Sequence, residues 1–311
     1  MLLQGLKSNA ALDVLHFPTL DDFRAFERFG DARSTPLSGR CVSARAHLML
    51  PSAHLCVQHT FPRILEIDYR TSGTLCVVPL ATSISVKING ISGSADHVMA
   101  VRGEVPCEIV ERQTNLFGLL SLAPEISDRG WPVDRANVIP VENTAALRSF
   151  RLTVESLLAF ASFNPEQARN ANMLRRMEES LLSSLDEAMT SYPSIPSSAQ
   201  FDRHLRSVRR MEEYLTLHPA ADVDATELAQ ACDVSPRTLE AATRAVRGLS
   251  VHRYLRLRRL WSARCALALG QPQTNVSDVA RANGFWHMGE FASADRGTFG
   301  ETPSETLARC S

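Results

Sequence analysis

No apolar run in these 311 residues approaches the eighteen or so needed to cross a bilayer. The N-terminus, MLLQGLKSNAALDV, has no basic stretch followed by an apolar one, so it does not read as a secretory leader. A cytoplasmic protein is the expectation. The seven cysteines are an odd number and include no C-x-x-C pair. That speaks against a disulfide framework or a structural zinc and for reduced, mostly buried thiols. The apolar flanks of Cys41, Cys56, Cys76 and Cys107 favour the thiol over the thiolate, so a nucleophilic cysteine is not expected. The formal net charge is −1, which lacks the strong basicity of a protein that coats DNA architecturally. Lysine is missing from residues 200–311, which carry 15 Arg and 13 acidic residues for a net of +2; the residues before them hold 18 basic and 21 acidic, a net of −3. The tilt is slight and by itself names no partner.

What is present falls into two halves. From about Ala44 to Leu122, short β-type runs such as ARAHLML, HLCVQHTF, TLCVVPLA and NLFGLLSL alternate with turn signals. Asn89-Gly90 between two such runs is the strongest of these, because a type I′ turn needs positive φ at both central positions. Many short strands at this spacing suggest a barrel or a jelly roll. After Pro140 the period becomes helical. Asn143 caps a helix running to about Phe160, and Asn164-Pro165 opens another, to Met189, with Leu174, Leu181 and Ala188 at sevens. SYPSIPSSAQ, residues 191–200, then reads as a linker.

The C-terminal part repeats itself. Ala229, Asp233 and Val234 recur 51 residues later as Ala280, Gly284 and Phe285. After one extra residue the offset becomes 52, pairing Leu239 with Phe291, Thr243 with Asp295, Arg244 with Arg296 and Gly248 with Gly300. One supersecondary unit therefore occurs twice. Asp224 and Glu227 offer a capping box, Asp233-Val234 the turn, Ser235-Pro236 a new helix start and Gly248 a stop. That is a helix-turn-helix, whose second helix presents its N-terminal residues to the major groove. Between the copies, SVHRYLRLRRLWSARCALALG reads as one rigid spacer helix. Arg258 and Arg259 lie off its apolar stripe, facing phosphates or solvent. Arg264 falls inside the stripe and calls for a carboxylate partner.

These residues resemble the AraC/XylS transcriptional regulators. The second copy matches at Gly284, Phe285, Phe291, Arg296, Phe299, Gly300, Pro303 and Ser304. The first copy and spacer match at Ala229, Ser235, Arg237, Leu239, Gly248, Tyr254, Leu255, Arg259, Leu260, Ala263 and Leu267. The likeness covers about residues 203–310. It implies an α+β protein: an N-terminal cupin-like β-barrel with flanking helices (1–190), the linker (191–200), and a C-terminal all-α double helix-turn-helix domain (201–311). The departures are Asp233 where the family usually has Gly, Thr243 and Asp295 where it has aromatics, and Val251 where it has Pro.

The expected activity is sequence-specific DNA-binding transcriptional regulation, as an activator answering a small organic effector, without catalysis, metal or cofactor. The expected partners are double-stranded operator DNA, RNA polymerase and a second copy of the chain. Base readout is assigned to Arg237, Thr238 and Ala241 in the first copy and to His287, Met288 and Ala292 in the second. Arg244, Arg281 and Arg296 are assigned to phosphates, with structural pairing as the alternative. The competing class is a cupin-type metal-dependent enzyme domain fused to a DNA-binding module. It needs an H-x-H pair, which the chain lacks; His47, His54 and His59 are spaced 7 and 5 apart. On one strand His47 and His54 would point to opposite faces.

Overall fold

A computed structural model of the chain describes residues 2–20, 22–23, 32–37, 41–131, 133, 136–189, 199–218, 223–270 and 274–310. The expected linker lies outside these residues except for Ala199 and Gln200, which open a helix. The chain divides into two compact units, one of residues 1–35 and 41–196, the other of residues 36–40 and 197–311.

The first unit is built on ten strands: β1 (Asp13–Phe17), β2 (Ala32–Pro36), β3 (Ser43–Met49), β4 (Ala53–His59), β5 (Arg63–Pro79), β6 (Val86–Ile88), β7 (Ile91–Gly93), β8 (His97–Glu111), β9 (Leu116–Leu122) and β10 (Ala136–Pro140). They form one sheet in the order β1-β3-β4-β9-β5-β8-β6-β7, with β10 beside β8 and β2 beside β5. Every pair whose register is described is antiparallel. Asn89 and Gly90 have φ of 47° and 78° and join β6 to β7, as their type I′ chemistry requires. Among the described residues no pairing joins β1 to β7, so the sheet is open where a closed barrel is expected. Its last strand, β7, is three residues long and pairs with β6.

Alternation gives the sheet two apolar faces. Ala46, Leu48, Leu55 and Val57 on one face pack against α1 (Thr144–Phe163) and α3 (Ala171–Met189). Val77, Met99, Val101 and Phe117 form the other cluster. Asn143 caps α1 by accepting from the Ala146 amide at 3.0 Å. The second expected helix is two: α2 (Pro165–Ala168) stops, and Asn170 restarts the chain by accepting from the amides of Asn172 and Met173. On α3, Leu181 and Leu185 are fully buried and Ala188 nearly so, which commits that stripe to the core of this unit.

His47 and His54 do not point apart. The alternation rule holds within one strand, but the chain reverses at residues 50–52, and the antiparallel register sets His47 opposite Cys56. The two rings stack at 5.2 Å, with Nδ1 of His47 3.1 Å from Nε2 of His54. Both are held below the usual histidine pKa, first by burial; for His47 the His54 ring adds to it. His59 lies on the other face, opposite Ala44. Among the described residues no three His, Cys, Asp or Glu side chains are grouped to hold a metal ion. Burial pushes the Cys56 thiol up to about 11 and Cys76 up to about 12, so neither supplies a thiolate near neutral pH.

The second unit is helical: α4 (Ala199–Leu217), α5 (Ala225–Ala231), α6 (Pro236–Arg247), α7 (Val251–Ala268), α8 (Val276–Ala282), α9 (Met288–Phe299) and α10 (Pro303–Cys310). Glu212 of α4 is the hub of its first half. Its carboxylate accepts from the Tyr254 hydroxyl and the Arg258 guanidinium of α7 and lies 3.6 Å from Arg247 of α6. Arg258 is therefore engaged within the protein, a role that neither of its two sequence readings, phosphate contact or solvated surface, included. Arg264 finds its carboxylate in Glu301 at 2.6 Å and also donates to Thr306.

Candidate nucleic-acid interface

The repeat in the sequence is a repeat in space. Helices α5 and α8 have 7 residues each, α6 and α9 have 12 each, and both long helices stop at a left-handed glycine, Gly248 (φ 69°) and Gly300 (φ 80°). The inter-helix turns close alike: the Val234 amide donates to the Ala229 carbonyl at 3.0 Å, and the Phe285 amide to that of Ala280 at 2.9 Å. Both turns need a residue with positive φ. Gly284 supplies it at 77°, while Asp233 adopts 54°, where a side chain is tolerated mainly for Asn and Asp. The extra residue of the second copy sits in this turn: residues 232–235 separate the first pair, 283–287 the second.

Caps fix where the helices of each pair begin. Asp224 caps α5 by accepting from the amides of Thr226 and Glu227, while the Glu227 carboxylate takes the Tyr214 hydroxyl at 2.9 Å instead of closing the box. Ser235 caps α6 by accepting from the Thr238 amide at 3.1 Å. At the corresponding place before α9 stands His287, which makes no side-chain capping bond. Leu239, Ala242, Thr243 and Val246 turn the inner face of α6 into the core, as Phe291, Asp295 and Phe299 do for α9. The opposite faces are left to solvent.

On α6 the open face carries Arg237, Thr238, Ala241 and Arg244, all exposed. The Arg237 guanidinium makes no ion pair among the described residues. The Thr238 hydroxyl shares a hydrogen bond with Ser235 at 2.8 Å. Arg244 leans on Glu240 at 2.6 Å, and Glu240 also accepts from the Val251 amide, which together with Arg244 holds its carboxyl below the usual range. In the second copy His287 and Arg296 are exposed, whereas Met288 and Ala292 are half-buried. Arg281 is exposed and lies 3.6 Å from Asp278 of its own helix.

With the offset of 52, the counterparts of Arg237, Thr238, Ala241 and Arg244 are Gly289, Glu290, Ser293 and Arg296, and all four are exposed. Glu290 and Ser293 are the side chains that sequence reading passed over. The signal was present in the repeat register, which shifts by one residue before this helix. For Trp286, just after the Gly284-Phe285 turn, the sequence offers either exposure at the start of the helix or packing beneath it. Its indole is 73% exposed in the turn, beside His287, and does not pack under α9. It lines a groove with Asp224 at the start of α5 and with His252, Arg256 and Arg259 of α7.

A helix-turn-helix domain family matches residues 228–309. The XylDLEGF operon transcriptional activator of Pseudomonas putida is 32% identical over 113 residues, 35% of this chain and 35% of that protein. The probable thc operon regulatory protein of Rhodococcus erythropolis is 33% identical over 101 residues, 32% of this chain and 30% of that one. A solved structure of a probable AraC family transcriptional regulator from Rhodopseudomonas palustris is 34% identical, covers 33% of this chain and 96% of its own, and has a TM-score of 0.31. The chain belongs to the AraC/XylS family. It spans about a third of the length of the curated relatives it matches. The matched stretch runs from α5 to α10, so the AraC/XylS likeness rests on both helix pairs and on the α7 helix between them.

Proposed function

We propose that this protein is a sequence-specific transcriptional activator that reads double-stranded operator DNA with α6 and α9 and recruits RNA polymerase in the cytoplasm. One observation carries the reading: two helix pairs of equal lengths, each with an uncovered polar face on its second helix, are fixed to a single spacer helix. The relatives' description as operon activators supports the sign of regulation. Arg237, Thr238 and Ala241 address bases in one major-groove segment. His287, Met288 and Ala292, joined by Glu290 and Ser293, address the next. Arg244, Arg281 and Arg296, with Arg256 in the groove, face phosphates.

In this reading the first unit is a cupin-like effector domain. It binds a small organic molecule, mediates homodimer formation and performs no chemistry. The α3 stripe is consumed by the core and is not the dimer surface; Leu152 and Phe163, exposed and 11 positions apart on one face of α1, offer one instead. Sedimentation velocity at micromolar concentration checks the dimer, and a monomeric wild type removes it.

Selection of bound sequences from random DNA, repeated with Arg237→Ala, tests the readout. Loss of preference at one base pair, worth about 1–3 kcal/mol, is the expected result for a bidentate arginine–guanine contact. Equal weakening on all sequences would move Arg237 to the phosphate group.

A further inference from the structure

Where β1 and β4 end and β3 and β9 begin, the first unit holds a cavity of about 570 Å³. That volume lies within the roughly 300–1,000 Å³ of small-molecule sites. Leu3 and Ala44 of the helix-facing core form part of its wall, and Leu2 and Leu116, packed against that core, extend it. Val42 and Thr114, both exposed, belong to its outer lining.

The polar side chains of the wall are Gln4, His16, Ser43, His59, Thr114 and Asn115. Two of these are tied into the framework. The Ser43 hydroxyl donates to the His59 carbonyl at 2.7 Å. The Asn115 amide donates to Glu111 and to the Gln113 carbonyl and accepts from the Ser85 amide. His59 is different: its Nε2 is buried and, among the described residues, has no hydrogen-bond partner. Burial lowers its pKa, against a smaller opposing effect of the Val42 backbone, so the ring is neutral near neutral pH. Among the described residues the wall contains no Lys, Arg, Asp or Glu.

A charged ligand entering such a site would lose its hydration without meeting a counter-charge, and burial of an unpaired ion is costly. An uncharged one loses little and fills apolar space, and a turn of the half-buried His59 ring would bring its unsatisfied nitrogen to a hydroxyl on the ligand. We propose that this cavity binds an uncharged, mostly apolar small organic molecule carrying a hydroxyl-type group, and that it selects against the corresponding carboxylates. The proposal deepens the effector reading and rests on it for its regulatory meaning.

Calorimetric titration of the full chain with 1-octanol and 2-naphthol, against octanoate and 2-naphthoate, tests it. Saturable binding of at least one uncharged probe is expected, with the matching carboxylate at least tenfold weaker. Val42→Trp and Thr114→Trp fill the cavity from opposite exposed positions, so at least one keeps the wild-type unfolding temperature. That variant should bind at least tenfold more weakly. No saturable binding of either uncharged probe overturns the assignment, as does a carboxylate that binds equally well or a filled variant that binds undiminished. Anisotropy of operator DNA in the presence of the bound probe separates the two levels: tight probe binding that leaves DNA affinity unchanged keeps the site and removes the effector reading.

Discussion

Asp295 lies one turn before the end of α9, fully buried, and among the described residues neither of its carboxylate oxygens has a hydrogen-bond partner. Burial pushes its pKa up to about 7; Arg264 of α7 pulls it down and Glu301 pushes it up by smaller amounts. The folded state therefore keeps a proton that the unfolded chain, with an ordinary aspartate near 3.8, releases. Between those two values stability falls as pH rises, and above about 7 the full penalty is in place. The unfolding temperature of the C-terminal unit should drop from pH 5 to pH 8, and Asp295→Asn should flatten that slope. Calorimetric scans of both proteins across this range decide it; parallel slopes would remove Asp295 from the account. That an aromatic is usual here is what the resemblance to the AraC/XylS regulators implies. That the carboxyl goes fully inside was not, because an exposed Asp at the same helical position would read identically. Its counterpart Thr243 solves the same burial by donating its hydroxyl to the Leu239 carbonyl at 2.8 Å. Arg264, by contrast, was legible: a guanidinium inside an apolar stripe demands a carboxylate, and Glu301 is that partner.

At the scale of elements, features set by local chemistry were readable and those set by register were less so. The Asn89-Gly90 hairpin, the Asn143 and Ser235 caps and the glycine stops each follow from one or two residues and stand where expected. The His47–His54 pair depends on where the chain reverses, which a single-strand rule does not capture. The restart at Asn170 was hidden by an uninterrupted apolar pattern. The second reading helix shows the same weakness. Its open face is shifted by one residue from Met288 and Ala292, so Glu290 and Ser293 take the places that Thr238 and Ala241 hold in α6. A carboxylate presented to the major groove suits the cytosine amino group, which it can accept from. Glu290→Ala should therefore change base preference in the second segment by about 1–3 kcal/mol at one position. Ala292→Ser, on a half-buried site, should leave it unchanged. Sequence selection with both variants checks the register, and the reverse pattern would restore the original choice.

For the second unit as a whole, spacing is the property that two reading heads on one rod must have. Helix α7 runs 18 residues, about 27 Å at the usual 1.5 Å per residue, without a break. Both ends are anchored: Tyr254 and Arg258 to Glu212 near its start, Arg264 to Glu301 near its finish. The two helix pairs then have a fixed separation and orientation, which suits major-groove segments about one helical turn, roughly 10 base pairs, apart. Copies arranged head to tail along one chain have no two-fold axis between them, so the paired segments should form a direct arrangement and not a palindrome. Inserting 5 base pairs between the segments turns the second to the far side of the duplex, about half a helical turn away. The full chain should then protect one segment only and lose most of its affinity, while an insertion of about 10 base pairs should fail as well, because α7 cannot lengthen. Footprinting on the three DNAs reads this directly. Protection of both segments on either inserted DNA would mean that the two helix pairs move independently, and that the anchors at Glu212 and Glu301 do not hold α7 as a rigid spacer.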